Sequence, residues 1–283
     1  MPAASTIAAD GHPPGGTNDP DKPEPAPGPR CTLPPMDLGL RGRTTVVCGA
    51  SSGLGLAAAE ALAAEGANVA MFARRREELE LQANRLGALA VRGDVTNASD
   101  LERHVERTVQ AFGGIDVVVW NGGGPPAGSA VAITDDSLEA AFELLLLPAV
   151  RLVRLALPWL ERSGTGRIVF ITSGAVKEPT HHLALSNTVR PGIAGFAKSL
   201  SQELGGAGIT VNCVAPGRID TPRMAELYGD DGPPPDEIAR IPLGRLGTPQ
   251  EFGDVVCFLA SDRAAYVTGT TLAVDGGASR SLL

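Results

Sequence analysis

The stretch CGASSGLG, Cys48 to Gly55, sets glycines at 49, 53 and 55 between a β-branched run and a helical pattern. Glycines so placed let a turn adopt dihedrals closed to other residues. They also bring backbone N–H groups and a helix N-terminus against a phosphate, so the chemistry indicated is pyrophosphate binding. A ligand-free strand-to-helix turn needs the same glycines, and the next run separates the two readings. It ends MFARRR, so Ala73 stands where a carboxylate would bind a free ribose 2′-hydroxyl, and Arg74 and Arg75 follow. A missing acid beside guanidinium groups favours a 2′-phosphate, hence NADP(H) over NAD(H). Solvated charges at a helix start are the plainer alternative for these arginines.

The elements that must position these groups follow a simple rhythm. From Met36 onward the runs TTVVCGA, NVAMFA, LAVRGDV, DVVVWNG, RIVFITS, ITVNCVAPG and TLAVDGG alternate with longer segments such as LGLAAAEALAAEG and LERHVERTVQAFG, whose apolar residues recur at helical spacing. Strands apolar on both faces and separated by helices imply a parallel sheet covered on both sides. The expected fold is therefore α/β, a doubly wound parallel sheet of Rossmann type in a single domain over residues 36–283. Long helices are expected over Asp136 to Leu160 and Gly192 to Leu204. Residues 222–245 break the rhythm with acidic and proline-rich sequence and read as an excursion over a site, a lid.

Residues 1–35 are crowded with Pro, Gly, Ala and Asp and have no periodic apolar pattern, so they are expected to be disordered. They lack the continuous apolar core of a secretory signal. They read as a flexible appendage or as an upstream extension of the reading frame with Met36 as the start.

A net charge of -8 over 283 residues disfavours a nucleic-acid or membrane-surface protein, because phosphate surfaces are bound by basic patches. No apolar run approaches the roughly 18 to 20 residues of a membrane span. Cys31, Cys48, Cys213 and Cys257 have no ligand spacing, so neither a metal site nor a disulfide frame is expected, and a cytoplasmic location is.

The ordered series CGASSGLG, RGDVTN, NGGG at Asn121 to Gly124, APGRIDTP and TLAVDGG resembles the short-chain dehydrogenase/reductase family, in its branch with a TGxxxGxG turn. The resemblance runs from about Met36 to the C-terminus. It implies that Gly49, Ser51, Ser52, Gly53 and Leu54 line the pyrophosphate, with Asp94 and Val95 at the adenine. It further implies Asn121 and Gly122 beside the adenosine ribose, and Pro216, Gly217, Ile219 and Thr221 at the nicotinamide end. A small-molecule substrate and a homo-oligomer, dimer or tetramer, are implied as well.

In that family a tyrosine hydroxyl protonates the carbonyl oxygen that receives hydride on its carbon. A lysine four residues later lowers the tyrosine pKa and binds ribose, a serine orients the oxygen, and an asparagine supports a water relay. The serine is matched by Ser173 in IVFITSG. Thirteen residues on, at the tyrosine spacing, stands Ser186, and at the lysine position stands Arg190. The asparagine position falls on Leu145. A serine hydroxyl is a far poorer acid than a phenol and its oxygen lies nearer its own backbone, while arginine does not shuttle protons. Pro191 lacks an N–H and disfavours helical dihedrals at Arg190. Either the helix begins at Pro191 and leaves Ser186 and Arg190 in a loop, or it already runs through Ser186 and is kinked there.

Candidate replacements for the tyrosine lie in the connection the family uses as a wall of the substrate pocket. His181 and His182 come first, since neutral imidazole donates or accepts near pH 7. Lys177 and Glu178 are weaker candidates, as is Tyr228 in the lid. The function expected is an NADP(H)-dependent oxidoreductase of carbonyl or alcohol type, with Ser173, Ser186, Arg190 and His182 as candidate catalytic residues and Arg190 also at the cofactor. A non-redox enzyme (dehydratase, cyclase or isomerase) and a non-catalytic NADP(H)-binding protein are the alternatives.

Overall fold

In the computed structural model, residues 36–229 and 231–282 are described, and the expectations for residues 1–35, Cys31 included, lie outside them. Each predicted run forms a strand: β1 (Thr44–Cys48), β2 (Asn68–Ala73), β3 (Leu89–Arg92), β4 (Val117–Asn121), β5 (Arg167–Ile171), β6 (Thr210–Pro216) and β7 (Thr271–Val274). They pair in parallel in the order β3-β2-β1-β4-β5-β6-β7. The crossover helices are α1 (Gly53–Ala64), α2 (Arg76–Leu86), α3 (Ala98–Phe112), α4 (Asp135–Leu145), α5 (Leu147–Ser163), α6 (Ala184–Leu204) and α9 (Pro249–Ala260). Two short helices, α7 (Pro222–Tyr228) and α8 (Pro235–Ala239), occupy the excursion between β6 and α9.

Alternation along the strands divides the core between the two faces. Val46, Val118 and Trp120 pack with the apolar faces of α3, α5 and α6, whereas Val47, Val117 and Val119 pack with α1 and α9. The strand order reverses between β1 and β4, and that switch point opens a crevice beyond the carboxyl ends of the strands. Beside it, α1 is held at close quarters. A Cβ on Gly55 would collide with the Gly49 carbonyl oxygen, and one on Gly253 of α9 would lie 2.5 Å from the Ala57 carbonyl oxygen.

Two helix expectations are corrected or resolved. The long helix expected over Asp136 to Leu160 is two, broken at Leu146, because Pro148 has no N–H to continue the α4 ladder and instead sits in the first turn of α5. The helix α6 begins before Ser186 and carries Pro191 in its interior, so Ser186 and Arg190 lie one turn apart and not in a loop. Burial outweighs the local preference against helix at Arg190. Leu185, Val189, Ile193 and Ala197 line one stripe and all lie in the core. No helix among the described residues is long and apolar enough to cross a membrane.

Candidate functional site

The carboxyl ends of β1 through β6 bring the predicted residues to one edge of the sheet. After β1, Gly49 and Gly53 take positive φ values of 61° and 57°, the conformation their lack of Cβ permits. Asn121, at the end of β4, donates from Nδ2 to the Gly49 carbonyl oxygen at 3.4 Å and fixes the turn to the neighbouring strand. Ser51 is buried beneath it. Ser52 is the N-cap of α1, yet its side chain does not cap the helix. Its Oγ instead accepts from Arg75 Nη2 at 2.7 Å, leaving the first α1 amides for another acceptor.

At the ends of β2 and β3, Arg74 Nη1 lies 3.9 Å from Asp94 Oδ2, and Arg75 Nη1 lies 3.3 Å from Glu78. Both arginine side chains are more than half exposed. Asp94 spends its other oxygen on the backbone N–H and hydroxyl of Thr96, while Val95 packs against the core. Gly122 is buried, and a Cβ there would lie 3.3 Å from Leu145 Cδ2. Leu145 is fully buried, so the position matching the water-relay asparagine carries an apolar side chain packed in the core.

Ser173 follows β5 and starts a short 3₁₀ turn, Gly174–Val176, its Oγ accepting from the Ala175 N–H at 3.2 Å. That leaves the hydroxyl hydrogen to donate. Across from it, the Gly174 Cβ position lies 3.5 Å from the Pro216 carbonyl oxygen, so the Ser173 turn adjoins the end of β6. Gly217 passes so close to Asp275 that a Cβ would lie 2.5 Å from its Cα. Ile219 is buried and pairs with Gly247, and Thr221 donates to the Ile219 carbonyl oxygen at 3.3 Å.

Ser186 is buried in the first turns of α6, and no hydrogen bond of its hydroxyl is found among the described residues. Arg190 is also buried. Its Nη1 donates to the Thr172 carbonyl oxygen at 2.9 Å and its Nη2 to that of Gly123 at 3.0 Å, while Nε has no partner among the described residues. Burial, with Arg223 nearby, pulls the guanidinium pKa down to about 10, so it still carries its charge at neutral pH. The arginine thus holds the ends of β4 and β5 together through main-chain carbonyls, whatever else it touches.

The other candidates divide. His182 is exposed and takes φ 57°, the only non-glycine among the described residues with positive φ. Its carbonyl oxygen accepts from Gly128 N at 2.7 Å, tying the loop after β4 to the connection before α6. The rings of His181 and His182 meet edge to face at 3.9 Å. Glu178 accepts from Arg280 N at 3.0 Å. The lid candidate Tyr228 is turned elsewhere, because its hydroxyl donates to Glu237 Oε2 at 2.7 Å, and Arg218 pairs with the same carboxylate. Burial and that carboxylate push the Tyr228 pKa up, the wrong direction for a proton donor.

Sequence reasoning missed Arg223, which reaches from α7 to the Pro125 carbonyl oxygen at 2.9 Å and lies against Gly124. Its signal was present in APGRIDTPR, but the aperiodic segment around it offered no register. The same loop after β4 helps line an apolar cavity of about 300 Å³, with Pro125, Ile133, Leu144 and Leu185 in its wall.

Comparison with known proteins places this arrangement. Residues 49–279 match the family model described as enoyl-(acyl carrier protein) reductase. The 3-oxoacyl-(acyl-carrier-protein) reductase of Escherichia coli (strain K12) is 35% identical over 242 residues, covering 85% of this chain and 98% of that protein. Dehydrogenase/reductase SDR family member 4 of Oryctolagus cuniculus is 31% identical over 249 residues, 86% of this chain and 96% of its own. Among solved structures, the L-sorbose reductase of Gluconobacter frateurii, in complex with NADPH and L-sorbose, superposes with a TM-score of 0.81 at 33% identity over 87% of this chain and all of that one (100%). An NADPH-bound short chain oxidoreductase of Pseudomonas aeruginosa PAO1, described as containing an atypical catalytic center, gives a TM-score of 0.78 at 31% identity over 84% of this chain and 97% of its own.

Proposed function

The chain belongs to the short-chain dehydrogenase/reductase family, and from that premise we propose that it is an NADP(H)-dependent oxidoreductase of carbonyl or alcohol type whose proton relay is degenerate. The observation that carries this reading is the Ser52–Arg75 contact at the mouth of the glycine turn, with Ser173 on the same strand edge. The residues fit the cofactor. The uncapped α1 amides suit a pyrophosphate, and Ser52, Arg74 and Arg75 suit a 2′-phosphate. Asp94, Val95, Asn121 and Gly122 line the way between, with Pro216, Gly217, Ile219 and Thr221 at the far end. Relatives of similar fold bind NADPH, which supports the same preference here.

A nicotinamide held by these residues would supply or accept the hydride. The chain's own part is to donate a hydrogen bond from Ser173 to the substrate oxygen and to meet the charge that develops on it. With Ser186 and Leu145 in place of phenol and amide, the proton comes from water, from the substrate or from the exposed His182. Arg190 contributes a fixed positive charge beside Thr172 and Gly123, not a proton. The half-exposed Leu138 and Phe142, beside Leu146, Val189 and Gly192, line a groove between α4 and α6 that suits a homo-oligomer. The free, buried Cys48, Cys213 and Cys257 are consistent with a cytoplasmic location.

Full-length protein supplied with NADPH and a panel of ketones, aldehydes and imines is expected to oxidise the cofactor, and Ser173→Ala to slow that turnover by about a hundredfold to a thousandfold. Product at the oxidation level of the substrate, without net NADPH consumption, would select the non-redox enzyme. Tight NADPH binding with no turnover of any kind would select the binding protein. Independently, the double variant Arg74→Ala/Arg75→Ala is expected to weaken NADPH binding by more than about tenfold, since hydrogen bonds to charged groups contribute roughly 1.5 to 3 kcal/mol each. NADH binding should change by less than about twofold in the same fluorescence titration. Equal losses for both cofactors would remove the 2′-phosphate role.

A further inference from the structure

Two guanidinium groups converge on the loop after β4. Arg190 donates to the Gly123 carbonyl oxygen from within α6, and Arg223 donates to that of Pro125 from the lid helix α7. Between them lies Gly124, where a Cβ would sit 2.6 Å from Arg223 Cζ, so the absence of a side chain is what lets the lid arginine lie down on the loop. Like charges brought this close repel, and Arg223 disfavours the charged form of the buried Arg190.

Counter-charge is scarce. Arg190 is 7% exposed, its Nε is buried without a partner, and no acidic side chain among the described residues pairs with it. Its bonds go to neutral carbonyls alone. Among the described residues Arg223 pairs only with Glu226, one turn away and 62% exposed, a contact that solvent screens. A buried charge without a counter-ion is expensive, and a fold that retains one invites an anion to complete it.

Resting on the oxidoreductase reading, we propose that the substrate is an oxo acid. In this assignment its carboxylate is taken by Arg223, above the charge of Arg190, while its reacting oxygen meets Ser173. Position favours substrate over cofactor. Thr172 and Gly123 lie on the Ser173 side of the crevice, whereas the pyrophosphate features lie at Gly49 to Leu54 and the 2′-phosphate features at Ser52 and Arg75. The apolar cavity that Pro125 helps to line lies beside this loop and suits a hydrophobic body on the same molecule. Arginine suits the task because its planar fork binds a carboxylate with two parallel bonds.

The test is calorimetric titration of the full-length protein, with NADP⁺ present so that no reduction occurs, using matched pairs of a 2-oxo acid and its methyl ester. Benzoylformate is the first pair, followed by short and branched aliphatic pairs. For at least one pair the acid is expected to bind about tenfold more tightly than the ester, a difference of about 1.4 kcal/mol. Arg223→Gln should abolish that preference and Arg223→Lys should retain part of it, with NADPH affinity changed by less than about twofold in both. No acid preference in any pair overturns the proposal, as does a preference that survives Arg223→Gln. So does a loss of NADPH affinity equal to the loss of acid affinity, which would give Arg223 to the cofactor phosphates. The outcomes for the two readings separate. Acid preference without NADPH oxidation sinks only the redox reading, and turnover of neutral ketones without acid preference sinks only this one.

Discussion

The double variant Ser186→Tyr/Arg190→Lys is expected to reduce carbonyl substrates about 10² to 10⁴ times faster than the natural chain, the range contributed by a positioned general acid. Since α6 runs unbroken through both positions, a phenol at 186 and an ammonium at 190 would be one turn apart, and the cation would lower the phenol pKa toward working pH. The Ser186 hydroxyl makes no hydrogen bond among the described residues, so replacing it breaks none. Replacing Arg190 does break two, to Thr172 and Gly123, so thermal unfolding and NADPH titration must accompany the kinetics. A folded, NADPH-binding variant with an unchanged rate would show that the missing acid is not what limits turnover.

The second large effect concerns stability. His104 on α3 is wholly buried against Phe72, ring centroids 4.9 Å apart, and neither ring nitrogen has a partner among the described residues. Burial drives its pKa from 6.5 down to about 3. The unfolded chain therefore binds a proton that the folded chain refuses throughout that window. The contribution of the neutral imidazole is complete above pH 6.5 and is lost as pH falls, by about 1.4 kcal/mol per pH unit. Between pH 6.5 and roughly pH 4.5 the loss is about 2 to 3 kcal/mol. Replacing His104 with leucine removes this slope and both unsatisfied nitrogens, raising stability at pH 7 by about 1 to 3 kcal/mol. Urea unfolding of both proteins across that pH range measures it, and parallel pH profiles would refute it.

The fold was legible because each strand carries its own signal. Runs such as DVVVWN and RIVFIT are apolar on both faces and spaced by helical segments, and a parallel doubly wound sheet is the arrangement that buries both. Helix limits were less legible. Pro148 is a start signal, but inside the unbroken apolar run ELLLLPAV it was read through. Pro191 left two helix starts open, and its local preference against helix loses to the stripe from Leu185 to Ala197. At the candidate site, the glycine turn and Arg74–Arg75 stand out in the sequence because local spacing encodes them. The partners of Arg190 could not, because they are main-chain carbonyls whose positions depend on how β4 and β5 end. Arg223, and the bond from Tyr228 to Glu237, come from a segment with no periodicity to fix which way a side chain faces.

The close contacts of α1 bear finally on the thermodynamics of ligand capture. With Gly55 against the Gly49 carbonyl and Ala57 against Gly253, the start of α1 is pressed on the turn after β1 and held from behind by α9, without intervening side chains that could repack. A phosphate arriving there meets amides already in position. Little backbone entropy would be left to lose, so on the proposed NADP(H) reading more of the gross attraction would appear as affinity, and the turn would serve as a rigid anvil against which the mobile end of a dinucleotide settles.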